Sequence, residues 1–160
     1  MSKTETVDVS KFGIHIQHAG IHVRNMAESL QWYHDVFGFE VLEGRGSPPD
    51  QGGVFPYMRM MKLGDFLLEI YEIQDADPCS LVDYEYKYGL KHLNFGVRAF
   101  KDWIAYIKTR DDVEILVENY YGPDTCAAYI KDCNGILIEV SNYDGVLASK
   151  KNTHAAEPTE

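Results

Sequence analysis

The sequence predicts an α+β protein made of two tandem βαβββ modules, which form a curved mixed β-sheet cleft with the helices outside. Three features predict this class: internal repetition at an offset of 74 residues, a helical period after each opening strand, and a hairpin that closes each copy. The opening strand at 18–23 matches 92–97, and the closing strand at 68–71 matches 138–141. Each copy therefore opens on a histidine strand and closes on a glutamate strand.

The repeat divides the chain into a flexible leader at 1–11, a first module at 12–73, a linker at 74–89, a second module at 90–143 and a flexible tail at 144–160. In the first module a strand is expected within 12–23. A helix is expected at 26–37, where apolar side chains recur near the helical period. Asn25 is suited to cap the start of this helix, and Gly38 to end it with a positive φ.

The remaining elements follow from turn residues and β-rich runs. In the first module these are a strand at 39–43, a loop at 44–53 and a hairpin of 54–63 and 66–72 with a Gly-Asp turn. In the second module they are a strand at 91–98, a helix at 100–109, a strand at 113–118, and a hairpin of 125–131 and 136–142. The Asn-Gly pair at 134–135 is the turn signal of that last hairpin.

Composition excludes several classes of function. The 160-residue chain has a formal net charge of −10, so its long-range field repels nucleic acid and anionic membrane surfaces. The three cysteines are an odd number without a CxxC pair, which argues against a disulfide framework or a cysteine zinc site. No apolar run is long enough to span a bilayer, and the first residues lack a signal-peptide pattern, so we expect a cytoplasmic location.

Strand parity brings the histidines and glutamates onto one face of each module. Residues of equal parity share a face of a strand, so His18 and His22 point the same way, and His92 takes the place of His18 in the second copy. Glu69 and Glu139 alternate with buried-type apolar residues, and an unpaired carboxylate in such a strand is costly. Taken singly, each of these side chains fits a solvated or paired role. Their coincidence in both copies predicts that His18, Glu69, His92 and Glu139 bind one divalent metal ion.

These residues lie in segments that resemble the vicinal oxygen chelate superfamily. In the first copy the resemblance rests on His18-Ala19-Gly20-Ile21-His22-Val23, Trp32-Tyr33 and Phe37-Gly38-Phe39; in the second it rests on Lys91-His92-Leu93-Asn94-Phe95 and on 132–140. Glyoxalase I and methylmalonyl-CoA epimerase look most similar within it. The resemblance covers about 14–143 and implies the same four ligands, with two coordination positions left for water or substrate. It also implies that modules can pair between two copies, as in a homodimer. The metal site lies either within one chain or across two, and the duplication within the chain favours the first arrangement.

Such a site would hold Zn, Ni, Co, Mn or Fe, and the metal would act as a Lewis acid on two adjacent oxygens of a small carbonyl substrate. The resemblance implies an isomerase, epimerase or lyase that transfers a proton through a metal-stabilised enediolate. Glu139 is the first choice for the general base and Glu69 the second. His22 is either a further acid/base or a residue that lines the cavity. Two alternatives remain open at this point: an extradiol-type Fe(II) dioxygenase, and a metal-free small-molecule binding protein of the resistance type.

Overall fold

The computed structural model describes residues 13, 15–47, 57–73, 90–122 and 125–142. The predicted leader, linker and tail, and most of the predicted loop at 44–53, lie outside the described residues, and the division of the chain into modules at those boundaries stays a prediction. The first module contains β1 (His18–Val23), α1 (Met26–Phe37), β2 (Glu40–Arg45), β3 (Tyr57–Leu63) and β4 (Phe66–Glu72). The second contains β5 (Leu93–Gly96), α2 (Phe100–Ile107), β6 (Glu114–Gly122), β7 (Thr125–Lys131) and β8 (Leu137–Ser141).

Two mixed four-stranded sheets confirm the predicted α+β class. Their strand orders are β1-β4-β3-β2 and β5-β8-β7-β6, so the two modules share one topology. In each sheet the opening strand pairs with the closing strand in parallel, and the remaining pairs are antiparallel. The helices pack on the core face of the sheets, which is the face opposite the histidines and glutamates.

Helix α1 begins and ends where the sequence predicts, because both of its ends are fixed locally. The Asn25 side chain accepts a hydrogen bond from the Glu28 backbone N–H at 3.1 Å, which satisfies one of the free donors of the first turn. Gly38 follows the last helical residue with φ 78°, and its N–H returns to the His34 carbonyl oxygen. The helix thereby has a fixed length and presents Trp32 and Tyr33 to the core.

The strand ends differ from prediction where pairing, and not local sequence, decides them. Strand β1 occupies His18–Val23, within the expected range, and its pairing with β4 begins with His18 opposite Leu67. Strand β2 continues to Arg45, two residues into the predicted loop, through an irregular register with β3. Gly44 allows this close approach, because a Cβ there would lie 2.3 Å from the Met58 carbonyl oxygen. Similarly, β5 is confined to Leu93–Gly96 and β6 extends to Gly122.

One hydrophobic core joins the two modules. Phe95 of β5 packs against three rings of the first module, with centroid separations of 4.6 Å to Phe37, 5.7 Å to Phe39 and 6.1 Å to Phe66. Trp32 and Trp103 each donate an indole N–H to a backbone carbonyl oxygen of the opposite module, at 3.1 Å in both cases. The helices therefore lie between the sheets, within a core that both modules share.

A polar contact beside this core fixes the β7–β8 turn to α1. The Tyr33 hydroxyl, fully buried, donates to the Asp132 carboxylate at 3.0 Å. The other Asp132 oxygen accepts the backbone N–H groups of Asn134 and Ile136, which closes the turn. Asn134 in turn donates its amide to the Ser29 hydroxyl at 3.0 Å, so the turn of one module holds the first helix of the other.

Within the described ranges, none of the helices has the length and apolar character needed to cross a membrane.

Candidate metal centre

The first histidine–glutamate pair lies on the exposed face of the first sheet. His18 at the start of β1 approaches Glu69 of β4, with 3.3 Å between Nε2 and Oε2. Gly20 lies directly across from Glu69 in the parallel register, so the histidine reaches the carboxylate along a diagonal. The other ring nitrogen of His18 lies 3.2 Å from the Gln17 side-chain oxygen. The glutamate is 14% exposed and the histidine 36%, so the pair is open to small molecules.

The second pair repeats this construction. His92 immediately precedes β5, and its Nε2 lies 2.8 Å from Oε2 of Glu139 on β8. Asn94 occupies the position across from Glu139, as Gly20 does for Glu69. The ring of Tyr129, which pairs with Glu139 from the other side, meets the His92 ring edge-on at 5.5 Å. Nδ1 of His92 is buried without a hydrogen-bond partner among the described residues.

The donor chemistry of each pair fits a divalent metal, but one pair provides only half of a usual ligand set. Imidazole nitrogen and carboxylate oxygen suit Zn, Mn, Fe, Co and Ni, and metal sites of this type draw three or four protein ligands. Within the described part of the chain, no group of three or more His, Cys, Asp or Glu residues could hold a metal ion. The structure thus brings the four predicted ligands together as two separate pairs.

The shared core explains this separation. Glu69 alternates along β4 with Leu68 and Ile70, which point into the core, and Glu139 alternates in the same way with Ile138 and Val140 on β8. Both pairs therefore lie on faces turned away from a core that is common to the two modules. The sequence predicts both sheets around one cleft with the helices outside, whereas within this chain the helices lie in the core that both sheets share.

His22 lies on the same face as His18, as strand parity predicts. It is exposed, and it pairs with Tyr71 across β1 and β4. The two rings meet edge-on with centroids 6.0 Å apart. His22 thus stands beside the first pair without touching the carboxylate of Glu69 in any recorded contact.

Exposed apolar side chains lie close in sequence to both paired histidines. Ile16 and Leu90 each precede the paired histidine by two residues, and they are 88% and 72% exposed. They occupy equivalent positions in the internal repeat. Val41 and Leu42 of β2 add further exposed apolar surface to the first module. Equivalent exposure at the same place in both modules is typical of a surface that a partner covers.

Two further residues lie beside the second pair, and they were not predicted from the sequence because their positions depend on the register of the sheet. Tyr129 is placed by the β7–β8 hairpin, and Ser141, buried on β8, donates its hydroxyl to the Asn94 side-chain oxygen at 3.1 Å. The Asn-Gly turn at 134–135 fixes the register of the hairpin, and this register places Tyr129 opposite Glu139. Tyr129 could therefore have been predicted by pairing residues on either side of that turn.

The same hairpin contains Cys133, whose pKa is raised to about 11 by burial. A thiol of this kind is a poor nucleophile.

The fold and the sequence agree on the family. Residues 15–140 match the Glyoxalase/Bleomycin resistance protein/Dioxygenase superfamily, and the chain belongs to this family. No curated protein matches the chain in sequence. This family is the vicinal oxygen chelate superfamily, so the predicted resemblance is confirmed.

Several solved structures share the fold. A glyoxalase family protein from Enterococcus faecalis is 24% identical with a TM-score of 0.64, over 81% of this chain and 98% of that one. The trypanothione-dependent glyoxalase I of Leishmania major is 19% identical with a TM-score of 0.66, over 87% and 94% of the two chains. The fosfomycin resistance protein FosX of Listeria monocytogenes, in complex with Mn(II) and sulfate, is 15% identical with a TM-score of 0.58, over 79% and 90%. At these identities the likeness shows the fold alone.

Proposed function

We propose that the protein is a divalent-metal-dependent isomerase, epimerase or lyase that moves a proton beside the carbonyl group of a small substrate. The observation that carries this proposal is the pair of matching half-sites, His18–Glu69 and His92–Glu139, which have the same diagonal geometry in both modules. Both pairs lie on the sheet faces that are turned away from the shared core. The match to FosX with Mn(II) and to glyoxalase I adds support from the same fold.

In this proposal the four residues of the two half-sites hold one ion of Zn, Ni, Co, Mn or Fe. When bound, the metal supplies Lewis-acid polarisation of two adjacent substrate oxygens. Glu139, once it loosens from the metal, would take the proton from the carbon next to the carbonyl and return it. Glu69 is the second candidate for the base. His22 is a further acid/base from the first module. The expected cytoplasmic location stays a prediction.

We further propose that a second copy of the chain completes the site. One chain presents two half-sites on faces turned away from the common core, and in a twofold dimer the His18–Glu69 pair of one copy meets the His92–Glu139 pair of the other. The same symmetry forms two equivalent sites per dimer. It also covers Ile16 and Leu90, whose exposure is unfavourable in an isolated chain.

Elemental analysis of protein purified without chelator or a histidine tag tests the metal. We expect about one equivalent of Zn, Ni, Co or Mn per chain, lost on His92→Ala. His15→Ala is the matched control, because His15 is exposed and contacts only a neighbouring backbone carbonyl oxygen in the recorded contacts. Carbonyl compounds are then screened for deuterium uptake from D₂O, which Glu139→Gln should abolish. Retention of iron with catechol cleavage would favour a dioxygenase, and failure to bind any metal after reconstitution would favour a binding protein.

Mixed dimers test where the site lies. One chain carries His18→Ala with Glu69→Ala, and the other carries His92→Ala with Glu139→Ala. Each variant alone should bind no metal. Co-refolding equal amounts should restore about a quarter of the wild-type metal content, because half of the dimers are mixed and each of those contains one intact site of two. A site built within one chain would give no restoration at all.

A further inference from the structure

We propose that Asn94 is a specificity-determining residue, which donates a hydrogen bond from its side-chain amide to a substrate oxygen beside Glu139. This inference rests on the proposed function. It adds a requirement on the substrate: an oxygen acceptor must lie on the side of the second module. Neither the metal nor the proton transfer requires such a donor, so the two proposals can fail separately.

The register places Asn94 within the half-site. It follows His92 by two residues, so both side chains lie on the same face of the sheet, and it stands directly across from Glu139 between β5 and β8. Neighbouring strands are about 4.8 Å apart, so the backbones of Asn94 and Glu139 are separated by one strand spacing. Asn94 is exposed on that face, where a ligand can reach it.

Ser141 holds the amide in one orientation. Its hydroxyl is buried with the residue, 5% exposed, and donates to the Asn94 side-chain oxygen at 3.1 Å. With the oxygen engaged, the NH₂ group of this exposed residue is left to donate to a ligand. The structure records no partner for that NH₂ group among the described residues. An amide whose acceptor is fixed in this way is prepared to donate to an oxygen ligand.

The first module has no such amide opposite its glutamate, so the two sides of the combined site differ and a substrate would bind in one orientation. Gly20 stands across from Glu69, and a Cβ there would have no atom closer than 3.9 Å, so the position is open. On their other sides, Glu69 pairs with Met60 and Glu139 with Tyr129. Beside its glutamate the second module therefore presents a side-chain amide, whereas the first module presents open space at Gly20 and the Met60 side chain on the other strand. A substrate with its oxygens towards Asn94 and its hydrocarbon part towards Gly20 and Met60 fits both sides.

Calorimetric titration of the zinc-loaded protein with acetohydroxamate tests the inference, since this small anion presents two adjacent oxygens. Asn94→Ala removes the donor, and we expect Kd to rise about ten- to a hundredfold with the zinc content unchanged. Asn94→Asp keeps the acceptor for Ser141 and replaces the donor by a carboxylate oxygen, so its affinity should fall at least as far. Asn119→Ala removes another amide from β6 and should leave Kd unchanged.

Ser141→Ala separates positioning from contact. It frees the Asn94 amide to rotate, and we expect Kd to rise about two- to fivefold in the wild-type background but not further in Asn94→Ala. Far-UV circular dichroism and the urea midpoint confirm folding of each variant. A zinc-loaded Asn94→Ala protein that binds acetohydroxamate as tightly as the wild type would overturn this inference and leave the metal site intact. A wild-type protein that binds none of Zn, Ni, Co, Mn and Fe would overturn the proposed function and this inference with it.

Discussion

Replacement of Phe95 by alanine tests whether the two modules form one cooperative unit. Phe95 is 8% exposed, and its ring contacts Phe37, Phe39 and Phe66, all of which belong to the first module. Truncation of a buried phenylalanine costs about 3–5 kcal/mol, from lost burial and the cavity left behind. Against a total stability of about 5–15 kcal/mol, this is a large share.

Urea unfolding at fixed protein concentration measures the effect. With a slope of about 2 kcal/mol per M, the midpoint of Phe95→Ala should fall by about 1.5–2.5 M in a single transition seen by both circular dichroism and tryptophan fluorescence. Lys101→Ala, on the exposed side of α2, is the control and should change the stability by less than about 0.5 kcal/mol. A loss below 1 kcal/mol, or two transitions in the wild-type protein, would refute a core shared between the modules.

Two further predictions concern the contact beside the core and the irregular strand. Burial and the neighbouring Asp132 carboxylate raise the pKa of Tyr33, so its stabilising effect is complete below about pH 10 and is lost as the pH rises through the folded-state value. Tyr33→Phe should lower the free energy of unfolding by about 1–3 kcal/mol at pH 7. Urea midpoints measured over a pH series should show that the wild type loses about 1 kcal/mol more stability than the variant between pH 10 and 11. Parallel pH profiles of the two proteins would contradict this. Gly44→Ala would bring a Cβ within 2.3 Å of the Met58 carbonyl oxygen and should cost about 1–3 kcal/mol by thermal unfolding. Gly20→Ala meets only ordinary contacts and is the matched control, so equal losses in the two variants would rule out the steric explanation.

The sequence predicts best those features whose causes are local. Helix α1 lies within two capping residues, Asn25 and Gly38, and both its bounds are confirmed. The pairing of each histidine with the glutamate of its own module is consistent with strand parity, because a parallel register between the first and last strands is all that it requires. Strand β2 is less predictable, since its extension to Arg45 depends on pairing with β3 and not on its own residues.

The relation between the two pairs could not be predicted from the repeat. Duplicated modules can face each other across a cleft or pack through their helices, and the internal alignment is the same in both cases. The choice depends on distant contacts, such as the indole N–H groups of Trp32 and Trp103 on carbonyl oxygens of the opposite module. These side chains look like ordinary apolar helix positions in the sequence. Their hydrogen bonds appear only when the modules are packed.

The two hairpins that close the modules differ in how freely they could accept change. The Gly64-Asp65 turn is exposed and reverses the chain between β3 and β4 without recorded side-chain bonds to the other module. The 132–135 turn also carries the contacts to Tyr33, Ser29 and Arg24. A peptide tag or a longer loop inserted at the first turn should leave the rest of the molecule in place, whereas the same insertion at the second should break the hydrogen bonds that hold this turn to the first module. The two hairpins occupy equivalent places in the repeat, but the length of the second is restricted by its contacts with the first module, whereas the length of the first is not.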